Sequence, residues 1–286
     1  MDGDAGRTYR ALMGATSTLD HSPRLTELPG ASRLLRIDES TFAWVIAQVR
    51  DGSAPSSETA AAQAHQAGLL QSADPVEVEP HWDALLRRAI TSPVRIDMVS
   101  VDGARAWATT VHVAGEIQLV IDQVREVTSS DSTVSLGARS SALTLAVGRI
   151  EHFSDLITAL VPQRPAFGAD PSESLTAPEA PGATTDPPSV DPPSVAQVQI
   201  VVSANPATGE PMIRDRSWYA FGADGTVLAT LTGTGEATTA EPAPVGALTE
   251  ILKADLIAAI NHVTADRADS ADNAEGAGQT TEGDER

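Results

Sequence analysis

The chain has 286 residues, a 41% hydrophobic composition, a formal net charge of −20, no cysteine and a single lysine, Lys253. That charge argues against nucleic acid or an anionic membrane surface as a partner, and the missing cysteines exclude disulfides and thiolate metal sites. The opening MDGDAGRTYRALMGATSTLD lacks the basic and apolar regions of a signal peptide, and no later stretch approaches the roughly 18 apolar residues that span a bilayer, so a soluble, cytoplasmic protein without membrane insertion is expected.

Residues 1 to about 30 show no periodicity and are expected to be disordered. A helix is expected from Asp38, which can cap it, with Phe42, Val45, Ile46 and Val49 on one face and Gly52 at its end; Trp44 lies off that stripe. An Ala-rich helix follows from about Ser57 to Ala67, closed by Gly68, and a third begins at Glu79-Pro80 with Trp82, Leu85, Leu86, Ala89 and Ile90 on one face. From Val94 to Ile121 apolar residues recur at every second position in three runs, divided by Asp102-Gly103 and Gly115, which is the pattern of an antiparallel meander. Thr133–Leu136 and Leu143–Val147 read as further strands, although the Ala/Ser-rich stretch 138–146 also suits a helix. The stripe Ile150, Phe153, Ile157, Leu160 and Val161 is helical, and Pro162 and Pro165 end it.

Residues 162–194 are rich in proline and acids and contain DPPSV twice in tandem, so they read as a disordered tether, with a docking motif for an SH3-like partner as the alternative. A second set of three strands spans about 197–231, with Asp224-Gly225 between its last two, and a loop through Gly233, Gly235 and Pro242 leads to a helix with Leu248, Leu252, Leu256, Ile260 and Val263 on one side. From Thr264 an acidic, unfolded tail is expected. Each set of strands carries one tryptophan in its middle strand, Trp107 and Trp218, and each is followed by a helix. The expected fold is therefore α+β: two pseudo-symmetric halves, 33–161 and 195–263, each an antiparallel meander with amphipathic helices, together forming a central sheet and a helical bundle.

Searching by mechanism yields no site. Lys253 follows no glycine loop, Gly233-Thr234-Gly235 lacks the third glycine of a dinucleotide fingerprint, and no Gly-x-Ser-x-Gly elbow occurs. The histidines at 21, 65, 81, 112, 152 and 262 form no i, i+4 pair, and His112 falls on the less apolar face of its strand. Asp266, Asp269, Asp272 and Glu275 recur at every third position without the glycine or anchor of a calcium loop. No catalytic residue, metal or cofactor is expected. What remains is amphipathic surface: the stripe at 248, 252 and 256 suits either this chain's own sheet or a partner's helix.

The order of elements resembles a known family. DESTFAWVIAQV, a short helix ending in Gly68-Leu69-Leu70, HWDALLRRAI running into a proline, the meander, EHFSDLITALVP, VQIVVS, the Trp218-Tyr219 strand, Ala223-Asp224-Gly225 and PVGALTEILKADLIAAI together resemble the EspG family of type VII (ESX) secretion-associated chaperones of actinobacteria, over about residues 33–263. The resemblance implies a cytosolic, non-enzymatic chaperone that covers the apolar tip of a PE–PPE heterodimer; separately, the chain is expected to be a monomer or weak dimer. It also implies a partner surface on the central sheet and C-terminal helix, here Val227, Leu228, Leu231, Leu248, Leu252 and Leu256, so that a charge at Leu252 or Leu256 would abolish the complex and leave the chain folded. The long proline tether and acidic tail depart from that family's compact pattern. An enzyme on a duplicated α+β scaffold and a self-associating structural protein are the alternatives.

Overall fold

In the computed structural model the described residues are 34–103, 105–130, 133–168, 194–222, 225–232 and 239–278. The expected disordered segment 1–30, the tether from 169 to 193 and the end of the tail lie outside them. The described residues open on a short strand that periodicity does not reveal, β1 (Leu35–Asp38), which turns at once into α1 (Glu39–Asp51). Asp38 stands at the N-cap with extended backbone but makes no side-chain cap bond, and Gly52 closes the helix in the left-handed region at φ 67°, a conformation that costs glycine nothing. In α2 (Glu58–Gln66) Ser57 accepts from the Ala60 N–H, a capping bond worth about 1 kcal/mol. A small hairpin, β2 (Leu70–Ala73) and β3 (Val76–Val78), leads to α3 (Pro80–Ile90), where the Glu79 carboxylate accepts from the first two free N–H groups, those of His81 and Trp82.

The alternating runs become β4 (Val94–Asp102), β5 (Arg105–Ala114) and β6 (Ile117–Ser130), the last extending well beyond Ile121. The Ala/Ser-rich stretch resolves as strand: β7 (Thr133–Arg139) and β8 (Ala142–Arg149) both pair with β6. A 3₁₀ turn and α4 (Phe153–Leu160) follow. The tether was expected to begin at Pro162, but a single turn, α5 (Pro165–Gly168), is packed, with Phe167 buried in the core and the Ala166 N–H donating to the Gly225 carbonyl at 3.0 Å. An aromatic ring and an ion pair from Arg164 to Asp102 at 2.6 Å anchor a stretch whose composition reads as loop.

The remaining elements are β9 (Ala196–Ala204), β10 (Met212–Phe221), β11 (Val227–Thr232), β12 (Thr239–Ala243) and α6 (Ala247–Gly278). The stretch with Pro242, read as loop, forms β12, and a proline is tolerated there because β12 is an edge strand. The unfolded tail expected from Thr264 is also corrected: α6 continues to Gly278. Alanine, the best helix former, recurs at 265, 268, 271, 274 and 277, and no proline interrupts the run.

One antiparallel sheet of ten strands joins the two strand sets, in the order β1-β8-β6-β5-β4-β9-β10-β11-β12, with β7 beside β6. The seam is the pairing of β4 with β9 over their full length, from Val94 opposite Ala204 to Asp102 opposite Ala196. Burial follows the pleat. Val94, Ile96 and Met98 of β4 and Val198, Ile200 and Val202 of β9 point to one face, where α4 and α6 cover them with Phe153, Ile157, Leu160, Leu248, Leu252 and Leu256. On the other face a second core holds Leu35, Ile37, Leu119, Leu143 and Leu145 against α1, α2 and α3. Trp44, off the expected stripe, belongs to that second core and donates its indole N–H to the Pro55 carbonyl at 2.8 Å. This second core includes no residue of β9 to β12.

Candidate protein-docking face

The three helices over the outer face rest on β1, β8, β6 and β5, so the outward side chains of β9, β10 and β11 have no helix of the second core above them. The cross-strand register identifies these side chains. Ser203 is opposite Ile213, Val201 opposite Asp215, Gln197 opposite Tyr219, and Phe221 opposite Val227. Ile213 is 61% exposed and Val227 48%, while Val201, Tyr219 and Phe221 are half-buried. Tyr219 and Phe221, two residues apart on one strand, stand with ring centroids 6.3 Å apart. Between the apolar ends lies a polar pair, the Gln199 amide donating to Asp215 at 3.2 Å. A face of this kind suits apolar contact with one polar group fixing register.

The same face continues toward α1 as a trench of about 430 Å³ whose floor is Val99, Ala108 and Thr110 and whose wall is Phe42. Two of its charges are matched, Asp97 accepting from Arg95 at 2.6 Å and from the Thr110 hydroxyl at 2.8 Å, whereas Arg125 in its lining donates to the Gly137 carbonyl and keeps a buried Nε without a partner. His112 stands farther along the same face, half-buried and hydrogen-bonded to the Ala89 backbone. Burial, with Arg95 nearby, pushes its pKa below 6.5 although Asp97 opposes this, so the ring is neutral at pH 7. A neutral imidazole bonded to the main chain is a structural group. Among the described residues no three His, Cys, Asp or Glu side chains gather as a metal site.

The residues proposed from sequence divide sharply. Val227 lies on the open face, but Leu228, next along the strand, is 1% exposed and belongs to the core on the opposite face of the sheet. Leu231 occupies the register position opposite Ala240 of β12, and its side chain is not among those described. Leu248, Leu252 and Leu256 are 1%, 0% and 4% exposed, packed on β9, β10 and β4 rather than presented. The physical reason is an ion pair as well as apolar contact: Asp255, 6% exposed, accepts from Arg216 of β10 at 2.5 and 2.9 Å, which holds the leucine side of α6 against the sheet. Ile213, Tyr219 and Phe221 were missed as surface. Strict period-two counting from Trp218, whose side chain is buried, would have assigned them to the opposite face.

The chain matches no protein-family model and no curated protein sequence. Among the described residues no helix is long and apolar enough to cross a membrane.

Proposed function

We propose that this chain is a non-catalytic chaperone of the EspG type, a cytoplasmic adaptor that covers an apolar tip of a PE–PPE-like heterodimer until it is secreted. The observation that carries this reading is the open outer face of β9 to β11, with Ile213 and Val227 exposed and Tyr219 and Phe221 half-buried. Exposed apolar side chains on a sheet face left without its own helices lower their free energy when helices of another protein cover them. The three strands β9 to β11, about 4.8 Å apart and up to some 30 Å long, present a projected area of roughly 400 Å². A standard interface buries about 800 Å² on each partner, so the helices must extend into the trench beside α1. The acidity of the chain favours a partner whose contact surface is apolar or basic.

The reading includes two related halves. The nine-residue β4 and β9 pair through their middle residues, Met98 opposite Ile200, and their partners β5 and β10 each have ten residues. A two-fold axis at that pair would superpose the hairpins with both ends aligned, matching Trp107 with Arg214 rather than with Trp218. On this reading α1 to α3 fill one half's outer face, and the partner's helices occupy the corresponding place over the other half.

Co-expression with a PE–PPE pair is expected to yield a 1:1:1 complex on size exclusion. Ile213→Glu and Val227→Glu should abolish co-elution and leave the melting temperature of the free chain within about 1–2 °C, because both side chains are already largely in water. Retention of the complex by both variants would remove the open face from the proposal. No complex with the unmodified chain, across the PE–PPE pairs of the same cell, would remove the chaperone reading itself.

A further inference from the structure

α3 carries more apolar surface than its own packing uses. Leu86 and Ala89 are buried, whereas Trp82 and Leu85 remain half-buried and Ile90 is 37% exposed. Trp82 and Leu85, with Ala114, Ile117 and Val147, line a groove of about 610 Å³. That volume lies within the roughly 300–1,000 Å³ typical of sites for small molecules, which combine apolar walls with a few placed polar groups. Arg88 lines this groove and also an adjoining cavity of about 370 Å³ bordered by Pro93, Val113, Ile260 and Val263, so it stands at the junction of the two.

The two arginines at the end of α3 differ in one respect. Arg87 is committed to Asp83 at 2.8 Å, whereas the Arg88 guanidinium has neither a hydrogen bond nor an ion pair among the described residues. A guanidinium offers a planar fork of donors that matches a carboxylate, and the apolar side chains beside the exposed Arg88 offer cover for a hydrocarbon tail. We propose that this groove binds a small amphipathic carboxylate with a single acyl chain, its head on Arg88 and its tail along Leu85, Trp82, Ile117 and Val147. The site lies over β5, β6 and β8, away from β9 to β11, and stands independently of the chaperone reading.

Trp82 supplies the reporter, since Trp44, Trp107 and Trp218 are only 8%, 4% and 2% exposed. Decanoate titrated into the full chain below its micellar concentration should change the tryptophan emission and saturate. Arg88→Gln should weaken that binding about tenfold, the loss expected for a charge-assisted pair, while Arg87→Gln leaves it unchanged. Decanamide should bind the unmodified chain about tenfold more weakly than decanoate, and decyltrimethylammonium no better than decanamide. Trp82→Phe should lose the emission change while calorimetry still records uptake. Leu85→Glu, with its fold checked by circular dichroism, should bind at least tenfold more weakly. Absence of saturation, equal affinity of the unmodified chain and Arg88→Gln, equal affinity for decanoate and decanamide, or an emission change that survives Trp82→Phe would each overturn the proposal.

Discussion

Single residues set two measurable properties of this chain. His112 is held neutral by burial, so between its lowered folded pKa and 6.5 the unfolded chain binds more protons than the folded one. Its contribution to stability is therefore complete above about pH 6.5 and is lost as the pH falls through the folded pKa. Urea midpoints measured from pH 7.5 to pH 5 should fall less steeply for His112→Gln than for the unmodified chain, and equal slopes would count against this account. Gly225 is the second case. It sits at φ 63°, and an added Cβ would lie 3.1 Å from Val195 and 3.2 Å from Arg164, so Gly225→Ala combines a backbone penalty with crowding. A loss of about 1–3 kcal/mol is expected, read as a lower melting temperature. The Asp-Gly hairpin signal in the sequence placed this turn. The approach of Arg164, from a stretch read as tether, needed the fold.

At the scale of elements, α6 shows how one stripe of leucines supports two readings. Its spacing required an apolar surface on one side, and only packing decided that this surface belongs to the chain's own sheet. Leu252→Ala is expected to cost about 2–5 kcal/mol, the range for a fully buried leucine, and Leu252→Asp should prevent folding, in contrast to a charge at an open interface. Denaturant titration separates these outcomes. Elements with a strong local signature were legible: α1 from its stripe and terminal glycine, α3 from Glu79-Pro80, β4 and β5 from strict alternation. The strands β1 and β12 were not, because both are short sheet-edge segments whose shape comes from pairing, with β8 and β11 respectively, rather than from their own pattern.

For the whole molecule, the decisive event is the antiparallel pairing of β4 with β9, which turns two local meanders into one ten-stranded sheet and creates a face that three helices cover only in part. The sequence by itself determined the α+β class, the alternation of the central strands, the four helices α1 to α4 of the first half and the acidic character, because each rests on local periodicity, capping or composition. Only the tertiary structure decided which side of each amphipathic element is used up internally. It buried Leu248, Leu252 and Leu256, left Ile213 and Val227 in water, and placed Arg88, unpaired among the described residues, beside an apolar groove. Periodicity fixes the direction in which side chains point along an element, whereas burial depends on which other element arrives on that side, and residues far apart in the chain supply it.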